Sequence, residues 1–178
     1  MRRLADGLAI AIGAALLLYC FAVGIEILGR RFFGFSLQGV DEIGGYLMAL
    51  IVAIGFTSAL YGNAHIRIDI LLPRLPRRVV LWLTVAALAA MTVYALLLVW
   101  QGGSVLMHSY RLKAVAPTPL LTPLALPQAL WVAMLFFFLA AAATLFVQVL
   151  ALAFRGDSVA AADLLGSPTG RPDIDKPQ

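Results

Sequence analysis

The sequence has little charge, a single cysteine and only two histidines. Charged residues make up 12% of its 178 positions, hydrophobic residues make up 62%, and the mean hydropathy is +0.96. Roughly a quarter of the residues of a water-soluble domain are charged, so this composition excludes that class. The lone Cys20 excludes an internal disulfide and a cysteine-rich metal site. The net charge of +4 is not gathered into a basic patch with interleaved aromatic residues, so no nucleic-acid partner is expected.

What the sequence does contain is four long apolar runs bounded by charges. The second is sharply bounded, since no formal charge occurs in the 22 residues from Ile43 to Ala64. A helix of that length spans about 33 Å at about 1.5 Å per residue, close to the hydrocarbon thickness of a bilayer. Because a charge at the bilayer centre costs roughly 2.5–3.5 kcal/mol, the flanking charges indicate the water boundaries. The sequence therefore predicts an all-α membrane protein whose four transmembrane helices lie within residues 1–155, at about 8–29, 41–64, 79–107 and 128–154.

Two further segments are expected outside these helices. After the second helix, apolar and charged residues are mixed from His65 to Pro73, which predicts a short segment along the membrane interface. Residues 156–178 contain three prolines and scattered aspartates, so we expect a disordered cytoplasmic tail.

The distribution of basic residues predicts the orientation. With four spans, the N-terminus, the second loop and the tail lie on one side of the membrane and together carry nine Lys and Arg residues, against four on the other side. By the positive-inside rule both termini are cytoplasmic. The first and third loops then face outward.

Charged residues flank the first loop. Glu26 and Arg30 have the i, i+4 spacing of a helical ion pair, with the acid in the favourable first position. Asp41 and Glu42 begin the second helix, where acidic residues complement the positive end of the helix dipole. Two interpretations remain open for these charges: caps and surface pairs within the chain, or a contact surface for another subunit.

Residues suited to chemistry are scarce. Transport through a bundle requires buried ionisable groups or helices broken near the midplane, and the sequence indicates neither. His65 and His108 fall on opposite sides of the membrane in this topology, so they cannot share a metal or a haem. The sparse polar residues within the helices are interpreted as ordinary interhelical hydrogen bonders: Thr57, Ser58, Thr84, Thr92 and Gln101. We therefore expect no catalytic activity, no cofactor and no metal.

Several motifs, in this order along the chain, resemble the small membrane subunit of tripartite ATP-independent periplasmic (TRAP) transporters. They are the basic-aromatic run Arg30–Leu37, the acidic pair Asp41-Glu42 with Tyr46 and Gly55 in the same helix, and the run His65-Ile66-Arg67-Ile68-Asp69 before Leu75-Pro76. The resemblance covers roughly residues 8–155. The sequence departs from it at Gly39, where the family often has tryptophan, and at Gly45, where it often has a basic residue.

The resemblance implies a scaffold role in the bacterial inner membrane. The transporter would be sodium-driven and take up small organic acids, with a large TRAP membrane subunit and a periplasmic substrate-binding protein as partners. Two alternatives stay open: a self-sufficient channel or exporter, and a haem- or quinone-binding membrane protein. The expected site residues fall into three sets: subunit or binding-protein contacts at Arg30, Arg31, Asp41 and Glu42; a cytoplasmic family-motif turn at His65, Arg67 and Asp69; and phospholipid headgroup contacts at Arg67, Arg74, Arg77 and Arg78.

Overall fold

The described part of the chain folds into four long α-helices. The computed structural model describes residues 2–34, 39–61, 76–156 and 160, apart from the side chains of Arg2, Arg3 and Arg77. Each helix is long and apolar enough to cross a membrane, which confirms the predicted fold class. The expected interfacial segment, with His65, Arg67 and Asp69, lies outside the described residues, as does Arg74. Of the expected tail, only residues 156 and 160 are described. The helices are α1 (Arg2–Phe33), α2 (Val40–Tyr61), α3 (Arg77–Arg111) and α4 (Ala125–Arg155).

Three of the helices extend beyond their expected bounds. Helix α1 begins at Arg2 rather than near residue 8, and α3 continues to Arg111. Helix α4 begins at Ala125, so Pro127 lies in its first turn, where the missing backbone N–H costs no intrahelical hydrogen bond. The chain leaves α4 through Gly156, whose φ of 73° is the left-handed conformation that commonly ends a helix.

The helices are not arranged in chain order. Helix α1 packs against α2, α2 packs against α4, and α4 packs against α3. The core lies between α2, α3 and α4, where Phe138, Leu135 and Val149 are almost fully buried. The rings of Phe56 on α2 and Phe138 on α4 lie 5.5 Å apart. Helix α1 is peripheral, and large side chains such as Leu18 (71% exposed) face outward.

Two polar side chains do not act as the sequence suggested. The hydroxyls of Thr84 and Thr92 donate to the carbonyls of Val80 and Leu88, at 2.9 Å and 2.8 Å, each one turn back on α3. The interpretation of these threonines as interhelical hydrogen bonders is therefore wrong. A threonine within a helix satisfies its hydroxyl locally because the carbonyl four residues back is within reach.

Candidate functional site at the loop end of the bundle

The end of the bundle where α1 and α3 finish and α2 and α4 begin is called here the loop end. It carries the short α1–α2 connection and the α3–α4 loop, residues 112–124. The α3–α4 loop is held by its own backbone: the Ala116 N–H donates to the Thr122 carbonyl at 2.9 Å, and the Leu124 N–H donates to the Ala114 carbonyl at 3.0 Å. It is thus an ordered hairpin-like loop able to present side chains to its neighbours.

Glu42 lies at the centre of the loop end. Its side chain is on the first turn of α2 and is only 7% exposed. The Tyr46 hydroxyl, one turn further along α2, donates to Oε1 at 2.7 Å, and the Thr118 hydroxyl of the α3–α4 loop donates to Oε2. Thr122 supplies further donors to the same carboxylate. A buried carboxylate is tolerated only when its oxygens accept hydrogen bonds, and here the α3–α4 loop supplies most of the donors.

A second contact lies beside Glu42, at Gly39. Gly39 has a φ of 97°, and its carbonyl accepts the first hydrogen bond of α2 from the Ile43 N–H at 3.1 Å. The space that a Cβ atom would take at Gly39 is filled by the Leu120 side chain of the α3–α4 loop. Leu120 therefore occupies the position of a side chain that residue 39 lacks, where the family resemblance led us to expect tryptophan.

The end of α1 carries the predicted ion pair. Arg30 Nη2 lies 3.2 Å from Glu26 Oε1, so the interpretation of this i, i+4 pair as a salt bridge is confirmed. The Glu26 side chain is 10% exposed and the Arg30 side chain 65% exposed. Water screens the exposed partner, so the pair adds at most about 1 kcal/mol to stability.

Two other charges at the loop end are exposed to the surroundings. Arg31 and Asp41 are both exposed, and neither forms an ion pair with another described residue. Of the four residues expected to contact another subunit, Arg30, Arg31 and Asp41 are therefore at the surface. Glu42 is turned inward and holds the α3–α4 loop.

The opposite end of the bundle is described only in part. Of the four arginines expected near lipid headgroups, Arg78 is described and exposed, and Arg77 is placed at the start of α3. Close by, the rings of Trp82 and Phe154 meet edge to face at 5.9 Å, which joins the first turns of α3 to the last turn of α4. Within the described ranges, no three His, Cys, Asp or Glu side chains are close enough together to hold a metal ion.

Sequence reasoning found Glu42 but not its partners. Tyr46 could have been identified, because the i, i+4 spacing places its hydroxyl on the same helix face as Glu42. Thr118 could not, since it is 76 residues away in an irregular loop without periodicity. Leu120 is likewise an ordinary loop leucine until the positive φ of Gly39 is known.

Comparison with known proteins identifies the family. The sequence profile described as "Tripartite ATP-independent periplasmic transporters, DctQ component" matches residues 19–155, which include the whole loop end and the whole of α2, α3 and α4. None of the curated proteins and none of the solved structures matched the chain. With four membrane-spanning helices and a match over most of its length, this chain belongs to the DctQ family and is a multi-pass membrane component of a tripartite ATP-independent periplasmic transporter.

Proposed function

We propose that this chain is the non-catalytic scaffold subunit of a sodium-driven, binding-protein-dependent secondary transporter for small organic acids. Its partners are a large membrane subunit, which carries the substrate and sodium sites, and a periplasmic substrate-binding protein. The observation that carries the proposal is the family match over residues 19–155.

The placement of charge supports the scaffold role. Within the helices, every Asp, Glu, Lys, Arg and His lies near an end, and the central segments carry none of them. The four described helices are continuous through these central segments. A site for an organic anion or for Na⁺ at membrane depth uses ionisable groups, or the exposed backbone of broken helices. The transport sites are therefore assigned to another chain.

The protein is placed in the bacterial inner membrane with both termini in the cytoplasm. The support is the bias of nine basic residues against four on the two sides of the predicted topology. In this orientation the loop end faces the periplasm. The family-motif turn at His65, Arg67 and Asp69 faces the cytoplasm, and Arg67, Arg74, Arg77 and Arg78 lie near anionic headgroups on that side, each contributing about 1 kcal/mol.

The loop end is the proposed contact surface for a partner. Arg31 and Asp41 are exposed, and Arg30 keeps most of its surface accessible despite its bond to Glu26. Charges at a rim steer association and fix orientation, which suits a surface that meets a soluble protein repeatedly. Glu42 contributes indirectly, because its hydrogen bonds hold the α3–α4 loop beside those charges.

Reconstitution tests the proposal. The full chain is inserted into vesicles alone, then together with the large membrane subunit of the same transporter, and then with the binding protein added outside. Sodium-dependent uptake of an organic acid is expected only when all three proteins are present. Uptake by this chain alone would overturn the scaffold role, and full uptake by the other two proteins without it would show that the subunit is dispensable.

A further inference from the structure

An apolar groove lies between α3 and α4 at the loop end. The groove is open along one side and its volume is about 410 Å³. It exists because α4 contributes two alanines one turn apart, whose methyl groups do not fill the space beside α3. The groove is lined by Leu106, Met107, Tyr110, Ala125, Leu126 and Ala129.

The groove is accessible from outside the chain. Met107, Tyr110 and Leu126 are 52%, 69% and 68% exposed, so these side chains border an opening rather than a closed cavity. The lining atoms are apolar, and a charged solute entering the groove would lose its hydration without gaining a partner. Hydrocarbon is the chemistry that fits this lining.

The water-facing end of the groove is cationic. Arg111 follows Met107 by one helical turn, which places it on the same face of α3, directly beyond the groove. Lys113 follows just after the helix end, and both side chains are exposed. Neither forms an ion pair with another described residue. Tyr110 lies between the apolar and the charged zones, as aromatic residues commonly do at the headgroup level.

The segment that contains Arg111 and Lys113 has no acidic residue that could neutralise their charge. From Arg77 to Arg155, the segment that contains α3, the α3–α4 loop and α4, there is no Asp or Glu. The groove thus has an apolar lining that suits a hydrocarbon chain and positively charged side chains at its water-facing end. A hydrophobic helix of another protein would fit the groove but would leave Arg111 and Lys113 without negatively charged partners.

We propose that this groove binds the acyl chain of an anionic phospholipid, whose phosphate is held by Arg111 and Lys113. The site is separate from the arginines expected near headgroups at the opposite end of the bundle. It goes beyond the scaffold role and does not depend on the orientation of the chain, because the ligand is a component of the bilayer itself.

Native mass spectrometry of the full chain tests the site. The protein is purified in a mild detergent and offered phosphatidylglycerol and phosphatidylethanolamine with identical acyl chains. We expect the wild type to retain phosphatidylglycerol preferentially. Arg111→Gln and Lys113→Gln should each reduce that preference about five-fold, since one basic residue near a membrane surface changes affinity by about that factor. The control Arg31→Gln, a basic residue on α1, should leave the preference unchanged.

Filling the groove tests the acyl-chain half of the proposal. Ala129→Trp should abolish retention of either lipid, whereas Ala90→Trp, at an exposed alanine of α3 outside the groove, should not. If Ala129→Trp fails to fold, Leu126→Asn at an exposed position serves the same purpose. Equal retention of the two lipids by the wild type would overturn the proposal. So would retention that survives the groove variants, or displacement of the lipid when the large membrane subunit binds.

Discussion

The Thr118 hydroxyl donates a hydrogen bond to the buried carboxylate of Glu42, across 76 residues of sequence. The bond joins the α3–α4 loop to the first turn of α2, two segments that are not consecutive in the chain. It shows that the α1–α2 connection and the α3–α4 loop lie at the same end of the bundle. The position of this loop therefore depends on a side chain of α2 as well as on α3 and α4.

Removing the acceptor should loosen the α3–α4 loop. We expect Glu42→Ala to increase hydrogen exchange at the Ala116 and Leu124 amides, because the Thr118 and Tyr46 hydroxyls lose their acceptor. Thr118→Val should produce a smaller increase, since Tyr46 and Thr122 still bond Glu42. Asp41→Ala, at the exposed neighbour, is the matched control. Unchanged exchange in the Glu42 variant would show that the loop holds itself through its backbone alone.

Gly44 should be intolerant of a side chain. A Cβ atom there would overlap the Tyr19 hydroxyl of α1, whereas a Cβ at the neighbouring Gly45 has nothing within 4 Å. We expect Gly44→Ala to lower the free energy of unfolding by about 1–3 kcal/mol through overpacking. Gly45→Ala should instead raise it by about 0.5–1 kcal/mol, because alanine has the higher helix propensity and its Cβ meets no neighbour. Both are measured by denaturation in mixed micelles, and equal values for the two variants would contradict the contact between α1 and α2.

Gly39 combines two constraints that can be separated. Gly39→Ala introduces a side chain at a φ of 97° and into the space of Leu120. The variant Gly34→Ala tests backbone strain alone, because Gly34 has a φ of 63° and open space around it. We expect Gly39→Ala to cost more thermal stability than Gly34→Ala, and the double variant Gly39→Ala with Leu120→Ala to recover part of the difference. No recovery would mean that Leu120 does not restrict residue 39.

Gly102 should control the approach of α3 to α4. A Cβ built there would lie 3.3 Å from Trp131 Cζ3 and 3.3 Å from Val132 Cγ2, which leaves no room for a larger side chain. We expect Gly102→Leu to lower the free energy of unfolding by about 1–3 kcal/mol by forcing the helices apart. Gly103→Leu, where a Cβ has open space, is the control. Distances between spin labels on α3 and α4 should lengthen in the first variant alone.

Charge reversal tests the proposed partner surface. Arg31→Glu and Asp41→Lys should each reduce uptake by the assembled transporter several-fold at low salt, and less at high salt because exposed charges are screened. The amount of the chain in the membrane should not change. Arg155→Glu, at an exposed residue of the opposite end, should leave uptake as in the wild type. Full uptake by both loop-end variants would remove this surface from the docking interface.

Features that depend on a single helix could be predicted from the sequence, whereas contacts between distant segments could not. The four spans were predictable because charged residues flank each apolar run and indicate where that helix leaves the membrane. The Glu26–Arg30 ion pair was predictable because both residues lie on one helix, four positions apart. The bonds from Thr118 to Glu42 and the packing of Leu120 over Gly39 were not. They join segments far apart in the chain, and apolar helices in lipid carry no periodic pattern that identifies their neighbours.

The order of packing has a consequence for how the protein is made. Helix α4, which leaves the ribosome after the other three described helices, is the helix against which both α2 and α3 pack. Until it is inserted, α3 lacks its main neighbour and α2 lacks one of its two main neighbours. A nascent chain that stops before residue 125 therefore lacks the helix that joins α3 to the α1–α2 pair, and assembly of the bundle waits for the fourth span.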